Sequence, residues 1–111
     1  MRKIIHEQPT ESPLAAGVLA YRQDGVATGA VEKWRHTAVH EGYQFLRVDL
    51  DARAAPSGHT YLYHAVINPQ GRVERLKYRF WGDGLRVEGD LVLEDTAVSA
   101  TRTVNDETFE Q

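Results

Sequence analysis

Residues 71–93 read GRVERLKYRFWGDGLRVEGDLVL, and apolar and polar side chains take turns there with the period of two that marks a strand. Leu76, Tyr78 and Phe80 fall on one side, Arg75, Lys77 and Arg79 on the other. After the Gly82-Asp83-Gly84 corner the alternation resumes, with Leu85, Val87, Leu91 and Leu93 against Arg86, Glu88 and Asp90. Residues 43–50 repeat it, with Leu46, Val48 and Leu50 against Arg47 and Asp49. One face is thereby assigned to a core or an apolar cavity, the other to water and cross-strand ion pairs.

Turn residues punctuate the chain at short intervals: Asp24-Gly25, Glu41-Gly42, Pro56-Ser57-Gly58, Asn68-Pro69-Gln70-Gly71 and Asp83-Gly84. Between β-rich runs this spacing predicts hairpins. In Asn68-Pro69-Gln70-Gly71 the proline presets the second position of a type I turn, the asparagine caps it and the glycine accepts positive φ. Strands are expected over 14–22, 43–50, 59–67, 72–81, 85–93 and near 97–104. Residues 29–42, GAVEKWRHTAVHEG, fit two readings, because Val31, Trp34 and Ala38 also suit one face of a helix ended by Gly42. An internal match decides for a strand. Gly29-Ala30-Val31-Glu32 with a later Gly42 parallels Gly71-Arg72-Val73-Glu74 with a later Gly84, so both copies are read as hairpins.

The expected fold is all-β: an antiparallel meander of about seven strands forming a strongly curved sheet, a half-barrel or an open barrel. Residues 1–13, with two prolines, are assigned to a flexible N-terminal tail or edge strand, and 14–111 to a single β-domain. Residues 103–111 open a further turn and strand and then stop, which suggests part of a longer protein. No stretch reads as a helix able to cover the apolar side. The sheet must close on itself, fold over as a sandwich or pack against a second copy.

The length of 111 residues suits one domain, and the formal charge of -3 gives no overall pull toward nucleic acid or anionic membrane. With no cysteine, disulfides, thiolate nucleophiles and cysteine metal clusters are excluded, which suits a reducing compartment. His6, Glu7 and Gln8 interrupt the apolar start that a secretory signal needs, and the longest apolar run, 14–21, is too short to span a bilayer. A cytoplasmic protein without a transmembrane segment is expected.

Candidate chemistry is thin. Arg75, Lys77 and Arg79, with Lys33, Arg35 and Arg86, make a basic row, but the aromatics Tyr78 and Phe80 lie on the opposite side, whereas a nucleic-acid platform needs both on one surface. Glu32, Glu74, Glu88 and Asp90 offer these cations partners, so a solvated, paired face without nucleic acid is expected. His36, His40, His59 and His64 supply metal-ligand types without an assignable third ligand or carboxylate partner, so no metal and no cofactor is implied. Asp49, Asp51, Glu88 and Asp90 are ordinary carboxylates for polar strands. Ser12, Ser57 and Ser99 sit in no nucleophile elbow, and no catalytic residue is assigned. Tyr61 and Tyr63 share one side of their strand while Leu62 and Val66 share the other, so both sides carry apolar groups there.

A meander of long hairpins with turns such as NPQG and GDG, and runs such as VERLKYRFWGDGLRVEGDLVL, resembles the curved, unclosed β-barrels of bacterial lipoprotein carriers and of glycolipid-binding proteins. The resemblance covers residues 29–104, rests on strand rhythm and transfers no signature residue; it implies a concave apolar surface holding acyl chains. From the alternation, Leu46, Val48, Leu62, Leu76, Tyr78, Phe80, Val87 and Leu91 are nominated as the wall of a site for a lipid, glycolipid or other amphipathic molecule. The competing expectation is a structural or interaction domain that dimerises through the sheet face or its edge strands, with no small ligand. An enzyme is the third, resting only on histidines and carboxylates of unknown placement.

Overall fold

The computed structural model describes residues 11–55, 58–105 and 107–110. Eight strands follow one another: β1 (Ser12–Gln23), β2 (Val26–Ala38), β3 (Gln44–Asp51), β4 (Thr60–Ile67), β5 (Val73–Gly82), β6 (Leu85–Leu93), β7 (Val98–Val104) and β8 (Glu107–Glu110). They form one antiparallel sheet in chain order, and it is not closed, since among the described residues β1 and β8 each pair on one side only. A short 3₁₀ turn at His40–Gly42 is the only helical element among the described residues. The expected meander therefore holds, with two changes of detail. The sheet has eight strands where about seven were expected, the last being four residues paired with Thr101 to Val104. Ser12 and Pro13, assigned to the tail, open β1 opposite Ala38 and Thr37, while residues 1–10 of that tail lie outside the described residues.

Turn chemistry sets the register. Asp24-Gly25 and Asp83-Gly84 take φ of 52° and 80°, and of 51° and 72°, which is the two-residue turn whose twist matches the flanking strands. Each closes directly, pairing Gln23 with Val26 and Gly82 with Leu85. At Asn68 the side-chain oxygen accepts from the amides of Gln70 (3.1 Å) and Arg72 (2.9 Å), and Gly71 N–H donates to the Asn68 carbonyl at 2.9 Å. The strand reading of residues 29–42 also holds as far as Ala38: β2 pairs Trp34 with Gly17 on one side and with Val48 on the other.

Directly paired residues of antiparallel strands share a face. One row therefore runs from His36 through Leu46, Ala65 and Leu76 to Leu91. On the opposite face Arg35, Arg47, His64, Lys77 and Asp90 follow one another in the same strands. The alternation thus separates a largely apolar from a largely charged face, with exceptions such as Glu32 on the first and Leu62 on the second. No second layer lies on either among the described residues, and the radius of gyration is 15.6 Å against the ~13 Å of a closed domain this long.

The expectation that the charged face simply meets water needs correction at its centre. Thr37, Arg47, Thr60 and Leu62 are buried there, whereas the strands of the apolar face bury only Ala65 and Gly89 among the described residues. On the charged face Leu62 stands between Asp49 and Arg79, and Thr60 between Asp51 and Trp81, so that the Arg79 stem and the Trp81 ring are the long neighbours. Long stems cover short neighbours and keep their polar ends outward. Arg47 is held by Glu11, with Nη1 donating to Oε1 at 2.5 Å and Nη2 to Oε2 at 3.0 Å, and Thr37 Oγ1 donates to the same Oε1 at 2.6 Å. Farther out the pairs are exposed: Arg75 grips Asp90 with two hydrogen bonds of 2.9 and 2.5 Å and holds its carboxyl below the usual range, and Arg79 stands 3.5 Å from Glu88. Such pairs contribute about 1 kcal/mol or less each.

His64 links this face to pH. Burial lowers its pKa, Arg47 and Lys77 on the flanking strands lower it further, and Glu11 works against them; the Phe45 ring meets it edge-on at 5.1 Å. A histidine kept neutral in the fold stabilises fully above the unfolded value of about 6.5, and that stabilisation is lost as the pH falls toward the lower folded value, because the unfolded chain takes the proton first. The urea midpoint should therefore drop between pH 7.5 and 5.5, with a smaller drop for His64→Phe. Equal drops in the two proteins would exclude His64 as the cause.

Candidate functional site: the apolar sheet face

Seven of the eight nominated wall residues share one face. Leu46, Leu76 and Leu91 lie in one row, Val48 and Tyr78 in the next, Phe80 and Val87 in a third. Leu62 does not join them. It pairs with Asp49 and Arg79 on the charged face, where it is buried, and the neighbours of Val48 and Leu50 in β4 are Tyr63 and Tyr61. Read alone, β4 is apolar on both sides, and a hydrophobicity ranking favours leucine over tyrosine. Only the pairing with β3 reveals the phase.

Register keeps Leu50 on the apolar face and adds Trp34, Tyr61, Tyr63 and Ala65, where alternation within single strands leaves their match to the neighbouring strands open. The aromatic rings lie across the strands. Tyr61 and Tyr63 are nearly parallel, 4° apart at 6.2 Å, and Tyr61 meets Phe80 at 4.9 Å. The Trp34 ring occupies the space where Gly17 would carry a Cβ, and the Tyr78 ring does the same at Gly89. A glycine leaves a gap on a strand surface, and a cross-strand aromatic fills it. These strand glycines are the sequence signal for the arrangement. Gly89→Val should destabilise the protein by about 1–3 kcal/mol by displacing the Tyr78 ring, read as a lowered urea midpoint, whereas an unchanged midpoint would show the ring free to move aside.

At one end of the face, where the β1–β2 turn and the β3–β4 connection meet, an open groove of about 520 Å³ has Ala30, Leu50, Ala52 and Tyr61 as its floor. Tyr21, Thr28 and His59 bring polar groups to it. Tyr21 donates to Glu32 Oε1 at 3.2 Å, Thr28 donates to the Tyr21 carbonyl at 2.9 Å, and His59 Nε2 is hydrogen-bonded to Asp83 Oδ2 at 2.7 Å. His59 is positioned from three sides, with its ring against Phe80 at 5.2 Å and over Gly82 as well as on Asp83. Partial desolvation, and then the Glu32 charge, raise the Tyr21 hydroxyl above its ordinary pKa, so it is a neutral donor at physiological pH. The site is thus an apolar floor with hydrogen-bonding groups at one end, the chemistry of a pocket that orients an amphipathic molecule.

The four candidate histidines do not gather. His36 bonds Gln44 at 2.7 Å toward the other end of the apolar face, His64 is on the charged face, His59 is in the groove and His40 is exposed in the 3₁₀ turn. Among the described residues no three His, Cys, Asp or Glu side chains are placed to hold a metal ion. Ser12 and Ser99 are exposed on β1 and β7, and Ser57 lies outside the described residues. No helix among the described residues is long and apolar enough to cross a membrane. Neither a family model, nor a curated protein, nor a solved structure matches the chain.

Proposed function

We propose that the apolar sheet face binds a lipid or other amphipathic small molecule, its chain lying along the face and its polar end in the groove beside His59 and Tyr21. The observation that carries this reading is the continuous band of Trp34, Leu46, Val48, Tyr63, Leu76 and Tyr78 on a single-layer sheet, with no second layer over it among the described residues. Contiguous exposed apolar surface is rare in soluble domains and marks a binding site where it occurs. The resemblance of the strand rhythm to half-barrel lipid carriers points the same way. In this reading the sheet curls around its ligand as a half-barrel, and the protein works in the cytoplasm as a binding module without catalysis. Delipidated protein titrated with a fluorescent long-chain fatty acid should show saturable binding with a blue-shifted emission. A flat titration, with protein that also carries no small molecule when gently purified, would overturn the proposal.

A further inference from the structure

We infer that β1 is a homodimerisation edge, to which β1 of a second copy adds antiparallel. Its outer side has no strand partner among the described residues, which leaves a row of amide and carbonyl groups that another strand satisfies best. β1 is also poorly defended. Of its twelve residues, SPLAAGVLAYRQ, Arg22 alone is charged, and between the irregularities at Pro13/Ala15 and Ala20/Arg22 the pairing with β2 is regular. Leu14, Val18 and Leu19 are 52%, 64% and 50% exposed. The opposite edge, β8, has the usual protection: it is four residues long, opened by Glu107 and closed by Glu110.

The charge pattern selects a second copy as the occupant. A two-fold axis normal to the sheet sets β1 antiparallel to itself and keeps each face continuous, so that Ala15, Gly17 and Leu19 extend the apolar face and Ala16, Val18 and Ala20 the other. Arg22 of one copy then lies at the opposite end of the joint from Arg22 of the other, and no like charges meet. Pairing β1 with β8 would be only four residues long. Joining edges leaves the apolar face open, so dimerisation and ligand binding are independent of one another.

The native chain has no cysteine, so Val18→Cys provides a single cross-linking site. With a short bis-maleimide it should give a covalent dimer, whereas Thr108→Cys on β8 should not. The double variant Ala16→Glu/Val18→Glu places its carboxylates opposite Arg35 and Lys33 of its own sheet, which suits the monomer, but sets like charges side by side across the joint. Sedimentation should show dimerisation at least about tenfold weaker in this variant than in the wild type. A wild type that stays monomeric at all concentrations overturns the inference. So does a dimer that survives the double glutamate variant, or one that cross-links through Thr108→Cys and not Val18→Cys.

Discussion

Glu11→Gln should destabilise the protein by about 3–5 kcal/mol, several times the loss expected from breaking any of the exposed ion pairs. Glu11 and Arg47 side chains are 0% and 9% exposed, and the carboxylate takes two hydrogen bonds from the guanidinium and one from Thr37. Removing the negative charge leaves the guanidinium buried without its counter-ion, and the cost is that of an uncompensated charge more than of one lost contact. The pairing of the sheet amplifies this, because Arg35 faces Arg47 across β2 and β3. The second substitution Arg47→Met should therefore recover much of the loss, since a long apolar side chain in that position needs no partner. Urea unfolding of the four proteins of this cycle measures both effects. A Glu11→Gln protein within about 1 kcal/mol of the wild type would show that the pair is solvated in solution.

Tyr63→Asp should abolish binding of an amphipathic probe, with a fall of about 100-fold or more, while the protein stays folded. Tyr63 stands between Val48 and Tyr78 in the middle of the apolar face and is stacked on Tyr61. At 37% exposure it is open to solvent, so replacing it leaves its buried strand neighbours Leu62 and Ala65 in place. A carboxylate at that point must be desolvated whenever an apolar chain covers it, at a cost of several kcal/mol. Val92→Asp is the matched control: Val92 is similarly exposed but lies on the charged face, between Arg75 and Ser99, so probe binding should be unchanged. Equal losses in the two variants would mean that the probe reports general unfolding or surface charge.

The turns explain why so much of this fold is visible in sequence. Asp-Gly at 24–25 and 83–84 and Asn-Pro-Gln-Gly at 68–71 carry their conformation locally, and the period of two in β3, β5 and β6 marks a side for every residue within a strand. What a single strand does not contain is how its sides match those of its neighbour. That depends on register, and a one-residue slip exchanges the faces. Alternation alone misplaces Leu62 for this reason, because the β3–β4 connection is long and β4 is apolar on both sides. Trp34, Tyr61 and Tyr63 stay unassigned to the apolar face on the same ground. Glu11 carries no signal of its own in the sequence, since its partners, Arg47 and Thr37, are distant along the chain and meet it only when β1, β2 and β3 align. β8 is the strand that residues 103–111 open in the sequence, but its four residues are too few to show its bounds or its pairing there.

Native mass spectrometry of gently purified wild type, with Tyr63→Asp alongside, tests the binding role of the apolar face most directly. A ligand-binding face predicts an adduct of lipid-like mass on each wild-type subunit, monomer or dimer, and none on Tyr63→Asp. Wild-type protein without adduct that also fails to take up an added fatty acid would contradict it.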